Sequence, residues 1–202
     1  MKKQILTVAL LVLLLGISVN LKSDCCISFI DNVENKELIE KIKLKEIFDN
    51  YNMVEYFNEE DRRKVEKIAK RFNVRTEDLC LLFYIESRGN PKAINKLSRA
   101  SGLIQWLQST AVRFETTLAE IRQMSTSDQL DLVERYLEFW EPKNGYSGFT
   151  DLYLSVFYPA ALGKSNNYVI GPKGSLAVKL NKGVDRNKDG ILTVGDVKNF
   201  IS

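Results

Sequence analysis

Residues 79–106 read LCLLFYIESRGNPKAINKLSRASGLIQW, and this stretch decides the fold. Seven apolar residues, Leu79 to Ile85, come first, and they predict a helix that is apolar on every side and therefore buried in a core. Glu86 follows, and Gly89 ends the helix within the next turn. A carboxyl group at the end of a core helix is partly desolvated, which disfavours its charged form and raises its pKa. The alternative is a surface glutamate that pairs with Arg88.

Periodicity and capping patterns predict helices on both sides of this stretch. The predicted helices lie at 34–49, 58–72, 76–88, from Ser109 or Thr110, from Thr117 with Glu120, from Ser125–Ser127 to Trp140, from Thr150 to Pro159, at 174–181 and at 194–201. No sustained alternation or hairpin turn indicates a strand. The predicted fold class is mainly α, with one compact domain from about residue 50 onwards.

The charge and the residue composition exclude several classes of function. The net charge of +3 is weak, and no dense basic patch with interleaved aromatic residues is present, so we expect no nucleic-acid partner. The chain has no histidine, which excludes Ser-His-Asp and Cys-His nucleophile systems and any histidine-ligated zinc site.

The N-terminus resembles an export signal. Lys2 and Lys3 precede the apolar segment Ile5–Val19, which is short for a membrane span and normal for a secretory signal. Cleavage after Ser18 is one expectation, and an uncleaved signal anchor through residues 5–21 is the other. The chain is therefore predicted to be exported, to the periplasm or the extracellular space, with or without a membrane anchor.

The three cysteines do not form a disulfide or metal framework. Cys25 and Cys26 are adjacent, and pairing between chains is one expectation for them. Cys80 lies within the apolar run and is predicted to be a small core residue.

Residues 85–111, IESRGNPKAINKLSRASGLIQWLQSTA, resemble the signature of the soluble lytic transglycosylases, lysozyme-like enzymes that cleave peptidoglycan. The shared features are a Glu-Ser pair, Asn-Pro-x-Ala, Gly-Leu-hydrophobic-Gln, and a Thr-Ala that opens a helix. The resemblance implies a lysozyme-like helical domain, glycan strands of peptidoglycan as the substrate, and no cofactor for catalysis.

The resemblance also implies roles for individual residues. Glu86 matches the catalytic acid/base, and Ser87 matches the residue that helps to orient it. Gly102, Leu103 and Gln105 match the segment that lines the sugar cleft, with Gln105 expected to hydrogen-bond the substrate.

A second family motif, Ala-Tyr-Asn-Ala-Gly, is only partly present. Residues 157–161 read FYPAA, so that Tyr158 matches the family tyrosine near the catalytic glutamate. Pro159 replaces the asparagine and Ala161 the glycine. These departures resemble a divergent branch of phage-type cell-wall enzymes.

The resemblance implies a single-carboxylate mechanism. Most glycosidases need two carboxylates, but assistance from the substrate's own N-acetyl group is an exception. Glu86 would protonate the leaving oxygen between the two sugars and then take the proton of the 6-hydroxyl, giving a 1,6-anhydro product. Other acids, Glu115, Glu120, Asp128 and Asp151, have no motif context and are expected to be solvated or capping charges. Lysozyme-type hydrolysis is the alternative chemistry.

Residues 185–196, DRNKDGILTVGD, follow the pattern of an EF-hand calcium loop, with aspartate in place of glutamate at the last position. The predicted ligands are Asp185, Asn187, Asp189, the carbonyl of Ile191, and Asp196, and Thr193 occupies position 9. Gly190 stands where the loop turns sharply. We expect a structural Ca²⁺ that pins the C-terminus, and an Asx-rich surface turn is the alternative.

The sequence therefore predicts a signal or anchor at 1–23, a spacer or N-terminal helix at 24–57, a lysozyme-like transglycosylase domain at 58–172, and a calcium-binding segment at 173–202. Two functions of another class stay open. One is a non-catalytic component that binds the cell wall, and the other is a calcium-dependent interaction module.

Overall fold

The computed structural model describes residues 33–201, which are mainly helical. The helices are α1 Val33–Asn50, α2 Glu59–Arg71, α3 Thr76–Ser87, α4 Gln108–Arg113, α5 Leu118–Gln123, α6 Thr126–Trp140, α7 Phe149–Phe157, α8 Leu176–Leu180 and α9 Val194–Ile201. A 3-10 turn, Pro159–Ala161, follows α7, and two short strands are β1 Val169–Gly171 and β2 Leu192–Thr193. The predicted signal segment 1–23 and the pair Cys25 and Cys26 lie outside the described residues.

By its internal contacts the chain divides into two units, Met1–Ile42 and Lys43–Ser202. Of the first unit, the structure describes the start of α1. The second unit contains the remainder of α1 and all the other elements, and its core includes Phe48, which is fully buried near Phe57. Within residues 33–201, no helix combines the length and the apolar character needed to cross a membrane.

Reciprocal capping bonds fix where three of the helices begin. Asn58 accepts the Asp61 N–H at 2.9 Å, and the Asp61 carboxylate accepts the Asn58 N–H at 3.1 Å. The same box forms between Thr117 and Glu120 and between Ser125 and Asp128. These boxes satisfy backbone N–H groups that a helix start leaves without partners, and they confirm the predicted starts.

Helix α3 is the central element of the core. Leu79, Cys80, Leu82 and Phe83 are fully buried, whereas Leu81, Tyr84 and Ile85 are half-buried, so the helix is covered on most rather than all of its sides. It packs against α2 and α7. Cys80 is a core residue, as predicted.

The end of α3 is sharp because two successive residues adopt the left-handed conformation. Arg88 has φ +57° and Gly89 has φ +73°. The Gly89 N–H then donates to the Phe83 carbonyl at 3.1 Å, which closes the last turn. A Cβ at Gly89 would lie 2.4 Å from the Met53 sulfur, so the chain passes too close to the core for a side chain here.

The expectation of no strands is wrong for one short antiparallel pair. In this pair β1 and β2 join Val169 to Thr193 and Gly171 to Leu192. Strands of three and two residues are too short to show alternation in the sequence, and their partners are far apart in the chain. The pair attaches the loop 185–196 to the segment that follows the 3-10 turn, and α9 packs on α7.

Candidate active site

Glu86 occupies the last turn of α3, immediately before the chain turns away. Its side chain is half-buried, so it stays accessible to solvent. Burial nevertheless raises the pKa of its carboxyl group from 4.5 to about 7, as the sequence predicted, and burial is the only cause of the shift. None of the hydrogen bonds and ion pairs described for residues 33–201 reaches this carboxyl group. An accessible carboxyl group that is half protonated near neutral pH is suited to act as a general acid and then as a base.

The alternative of a surface pair between Glu86 and Arg88 is not what the structure shows. The Arg88 guanidinium lies over the Tyr84 ring, 4.2 Å from its centroid. A nearby cation would lower the pKa of Glu86, and no such contribution is present.

Two tyrosines that the sequence analysis did not single out lie close to Glu86. Burial raises the pKa of Tyr136 on α6 and of Tyr153 on α7, and the charge of Glu86 raises both further. The Tyr136 hydroxyl donates to the Ser155 carbonyl at 2.7 Å, which ties α6 to α7. The charge of Glu86 therefore acts on one tyrosine of each of these two helices.

Ser87 contacts the backbone of the cleft segment rather than the Glu86 carboxyl group. Its hydroxyl oxygen lies 2.9 Å from the Leu103 carbonyl and 3.1 Å from the Phe83 carbonyl, and its single proton serves one of them at a time. Ser87 is buried, so this bond fastens the end of α3 to the segment 102–105.

The segment Gly102–Gln105 forms a tight turn beside α3. The Gly102 N–H donates to the Ala93 carbonyl at 2.9 Å, and Gln105 returns two bonds of 3.1 Å to the Gly102 carbonyl, from its backbone N–H and from its side-chain amide. Gln105 has φ +51° and is half-buried. Its side-chain carbonyl oxygen accepts no described hydrogen bond, so it is free to accept one from a sugar.

Gln129 on α6 is a further polar residue that the sequence analysis missed. It is fully buried and hydrogen-bonds the Leu103 N–H with its side-chain oxygen. The sequence did contain a signal for this role, because Gln129 lies on the same face of α6 as Val133 and Tyr136. A polar side chain on a buried face needs a hydrogen-bond partner.

Tyr158 lies at the C-terminal end of α7 and is 37% exposed. Its backbone N–H donates to the Leu154 carbonyl at 2.9 Å, and none of its described contacts reaches Glu86. The structure therefore groups Ser87, Gly102, Leu103 and Gln105 beside the end of α3, and the role of Tyr158 stays a prediction.

A cavity of about 360 Å³ lies elsewhere, between the end of α4 and the second half of α6. Its lining consists of Arg113, Phe114, Glu115, Arg135, Glu138 and Phe139. None of the predicted site residues belongs to this lining, so the cavity is separate from the candidate active site.

The loop 185–196 has one buried carboxylate oxygen without a partner. Asp185 accepts the Gly190 N–H with one oxygen at 3.0 Å, while its other oxygen is buried and makes no hydrogen bond. Gly190 has φ +80°, the conformation that the sharp turn requires. A buried carboxylate oxygen without a partner, in a loop rich in oxygen-bearing side chains, fits a cation ligand.

The carboxylates of the other two aspartates of the loop accept hydrogen bonds from residues of the loop itself. Asp189 accepts the Ile191 N–H at 2.7 Å, and Asp196 accepts the Thr193 N–H at 2.9 Å and its hydroxyl at 2.6 Å, in a capping arrangement at the start of α9. Over residues 33–201, no group of three or more Asp, Glu, Cys or His side chains is arranged to hold a metal ion. The donor types fit calcium, but the carboxylates would have to rotate to converge on it.

Residues 63–133 match the family described as the transglycosylase SLT domain. The match covers Glu86, Ser87 and the segment Gly102–Gln105, and it ends before Tyr158. It supports an enzyme of the lytic transglycosylase type that acts on peptidoglycan, and the mainly helical fold agrees with a lysozyme-like domain. No curated protein and no solved structure matches the chain.

The raised pKa of Glu86 predicts that Glu86→Gln stabilises the fold at alkaline pH. Below the unfolded pKa of 4.5 the carboxyl group is protonated in both states and costs nothing. As the pH rises towards about 7, the folded state holds a proton that the unfolded state has lost, so the free energy of unfolding falls. We therefore expect the free energy of unfolding of Glu86→Gln, measured relative to that of the wild type, to be about 3 kcal/mol higher at about pH 8 than at about pH 4. Urea unfolding at both pH values measures the gain, and an equal difference at both would contradict it.

Proposed function

We propose that the protein is an exported peptidoglycan lytic transglycosylase that cleaves the β-1,4 bond between N-acetylmuramic acid and N-acetylglucosamine. The observation that carries the proposal is the accessible but desolvated carboxyl group of Glu86, whose pKa is raised to about 7. It stands at the end of a core helix, inside the region that matches the transglycosylase family.

In the first step Glu86 acts as a general acid. Its protonated carboxyl group donates a proton to the glycosidic oxygen as the bond from that oxygen to C1 of the muramic acid breaks. The leaving sugar departs as an alcohol, and the N-acetyl oxygen of the same muramic acid stabilises the positive charge that develops at C1. Desolvation of Glu86 favours this step because it keeps the carboxyl group protonated near neutral pH.

In the second step Glu86 acts as a base. Its carboxylate takes the proton of the 6-hydroxyl of the muramic acid, and that oxygen bonds to C1 and displaces the N-acetyl oxygen. The product is a 1,6-anhydro ring, no water is consumed, and Glu86 regains its proton. The Tyr136 and Tyr153 hydroxyls lie near enough to respond to the charge that Glu86 carries between the steps.

The contacts of other acidic residues support a mechanism with one carboxylate. Glu120, Asp128 and Asp151 accept hydrogen bonds from Thr117, Ser125 and Ser147 close to helix starts, as expected of capping charges. Each is therefore occupied by the fold and is poorly placed to serve as a nucleophile or second base.

Mass spectrometry of the products tests the proposal. The full chain is incubated with purified peptidoglycan in the presence of Ca²⁺, and the released fragments are compared with those from Glu86→Gln. Anhydro-muropeptides from the wild type alone are expected. Fragments with reducing ends would instead make the protein a lysozyme-type hydrolase, and no fragments from either protein would favour a non-catalytic component that binds the wall.

We also propose that the loop 185–196 binds a structural Ca²⁺. The buried oxygen of Asp185 that lacks a partner supports this proposal. The ion would be held by Asp185, Asn187, Asp189, the Ile191 carbonyl and Asp196, and it would fix the loop relative to β1 and α9. The same loop serves the alternative of a calcium-dependent interaction module, which leaves the segment 85–111 without a role.

Thermal unfolding tests the calcium site. We expect excess Ca²⁺ to raise the Tm of the wild type by roughly 5–10 °C over the value in chelator, because an ion that binds only the folded state stabilises it. Asp185→Asn is the matched control, since it keeps the size of the side chain and an oxygen that can accept the Gly190 N–H. A wild-type Tm that is the same with Ca²⁺ and with chelator would leave the loop as an Asx-rich surface turn.

Export is part of the proposal because peptidoglycan lies outside the cytoplasm. The proposed signal or anchor, residues 1–23, is outside the described residues, and the phage-type branch stays a prediction. Mass determination of the mature protein from cells distinguishes cleavage after Ser18 from a retained anchor.

A further inference from the structure

Gln129 is a buried polar side chain whose amide joins three separate segments. Its oxygen accepts the Leu103 N–H at 2.9 Å. Its nitrogen donates to the Pro91 carbonyl at 2.7 Å and to the Ile121 carbonyl at 3.0 Å. Pro91 belongs to the loop after α3, Leu103 to the cleft segment, and Ile121 to α5.

The chemistry of this position requires a neutral amide. Both N–H donors are used and the oxygen accepts one bond, so the side chain leaves no donor without a partner. A glutamate would lose donors and bury a charge. An apolar residue would leave the Leu103 N–H and the Pro91 carbonyl without their described partner, and the Ile121 carbonyl would keep only the Met124 N–H at 3.2 Å. The fit is close, because a Cβ added to Gly102 would lie 2.5 Å from the Gln129 oxygen.

Leu103 connects Gln129 to the residue next to Glu86. Its N–H is held by Gln129 from α6, and its carbonyl lies 2.9 Å from the Ser87 hydroxyl at the end of α3. The backbone of one residue thus spans the gap between α6 and the helix that carries Glu86.

From this geometry, and resting on the function proposed above, we propose that Gln129 is a positioning residue for cleavage. By fixing the Leu103 backbone it holds the cleft segment against the last turn of α3 and so sets the orientation and the enclosure of Glu86. Misplacement of a reacting group by about 1 Å is enough to lower a rate by about 100-fold.

Helix α6 also carries a tyrosine on which the charge of Glu86 acts. Tyr136 lies on the same face of α6 as Gln129, and its hydroxyl is bonded to the Ser155 carbonyl of α7. Among the described residues, the charge of Glu86 raises the pKa of Tyr136 on α6 and of Tyr153 on α7. Loss of the Gln129 hydrogen bonds does not remove the bond between Tyr136 and Ser155, so the effect of Gln129 on Glu86 can be measured separately.

The test compares Gln129→Met, which keeps the volume but removes every hydrogen bond, with Gln129→Asn, which keeps the amide but shortens its reach. Thr126→Val is the control, because Thr126 lies on the same helix and its hydroxyl donates to the Tyr56 carbonyl at 2.8 Å, away from the cleft. We expect Gln129→Met to lower kcat by roughly 10- to 100-fold and Gln129→Asn by less. The alkaline limb of the pH–rate profile should shift to lower pH in Gln129→Met, since water then reaches Glu86.

Hydrogen exchange gives a readout that does not depend on activity. The Leu103 amide should exchange faster in Gln129→Met than in the wild type, while amides of α2 keep their protection. If Gln129→Met does not fold, the kinetic measurements and the exchange of the Leu103 amide in Gln129→Asn test the proposal instead.

The proposal is overturned if both Gln129 variants keep the wild-type kcat, pH profile and Leu103 protection and merely lose thermal stability as Thr126→Val does. An inactive wild type with faster Leu103 exchange in the variants would instead contradict the proposed function while leaving the positioning contact intact.

Discussion

Glu86→Gln is expected to lower the rate of peptidoglycan cleavage by about 1,000-fold or more near neutral pH, since general acid–base catalysis contributes about 100- to 10,000-fold. The amide has nearly the shape of the carboxyl group, but it can neither release a proton to the glycosidic oxygen nor accept one from the 6-hydroxyl. Both steps assigned to Glu86 are therefore lost together. Binding to insoluble peptidoglycan should survive, because the cleft segment Gly102–Gln105 is unchanged.

The matched control is Glu115→Gln, the same substitution at an exposed residue in the lining of the separate cavity. Its cleavage rate should equal that of the wild type. If Glu86→Gln retained more than about a tenth of the activity, another group would have to supply the proton. Equal wall binding by all three proteins without any cleavage would support a component that binds peptidoglycan but does not cut it.

Gly102→Ala is expected to lower the free energy of unfolding by about 2–4 kcal/mol, through two separate costs. Gly102 has φ +80°, a conformation that costs an alanine about 1–2 kcal/mol. The new Cβ would also lie 2.5 Å from the Gln129 oxygen and 2.9 Å from the Ile121 methyl, so buried neighbours must move. Cleavage should fall as well, because the displaced Gln129 releases Leu103.

Gly174→Ala separates these two costs. Gly174 has φ +79°, almost the same conformation, but nothing lies within 4 Å of the added Cβ. This variant should therefore show only the backbone cost, about 1–2 kcal/mol, and full activity. Chemical denaturation of both variants measures the difference. Equal losses of stability would mean that crowding between the new Cβ at position 102 and Gln129 costs no free energy.

The sequence was sufficient to predict those features of the structure that residues close together in the chain determine. The capping residues Asn58, Thr117 and Ser125 begin helices because their partners lie three residues away. The raised pKa of Glu86 followed from its position directly after an apolar run, since a helix with such a run is buried in the core. These inferences need no knowledge of which distant segments meet.

The remainder depended on contacts between segments that are far apart in the chain. Gln129 meets Leu103 and Pro91 only after the fold has brought α6 to the cleft segment and to the loop after α3. Its position on a buried face was therefore the sole signal in the sequence. Tyr136 and Tyr153, whose pKa values respond to the charge of Glu86, belong to two other helices, whereas the family resemblance drew attention to Tyr158.

The loop 185–196 likewise has some features that the sequence predicts and others that it does not. Its pattern predicts which oxygens are available and why Gly190 occupies the turn. It does not predict side-chain rotation, and Asp196 uses its carboxylate to cap α9. The short strand β1 that pairs with Thr193 was also invisible, because a strand of three residues has no periodicity to detect.

The central claim is that a desolvated Glu86 serves as the acid, and the pH dependence of kcat/KM tests it most directly. The substrate would be glycan strands without peptide stems, which carry no group that titrates between about pH 5.5 and 9. Because Glu86 must first donate a proton, the rate should fall as the pH rises through about 7, the pKa that burial gives its carboxyl group. A rate that stays constant through this range, or that falls with a midpoint near the ordinary value of 4.5, would contradict the assignment.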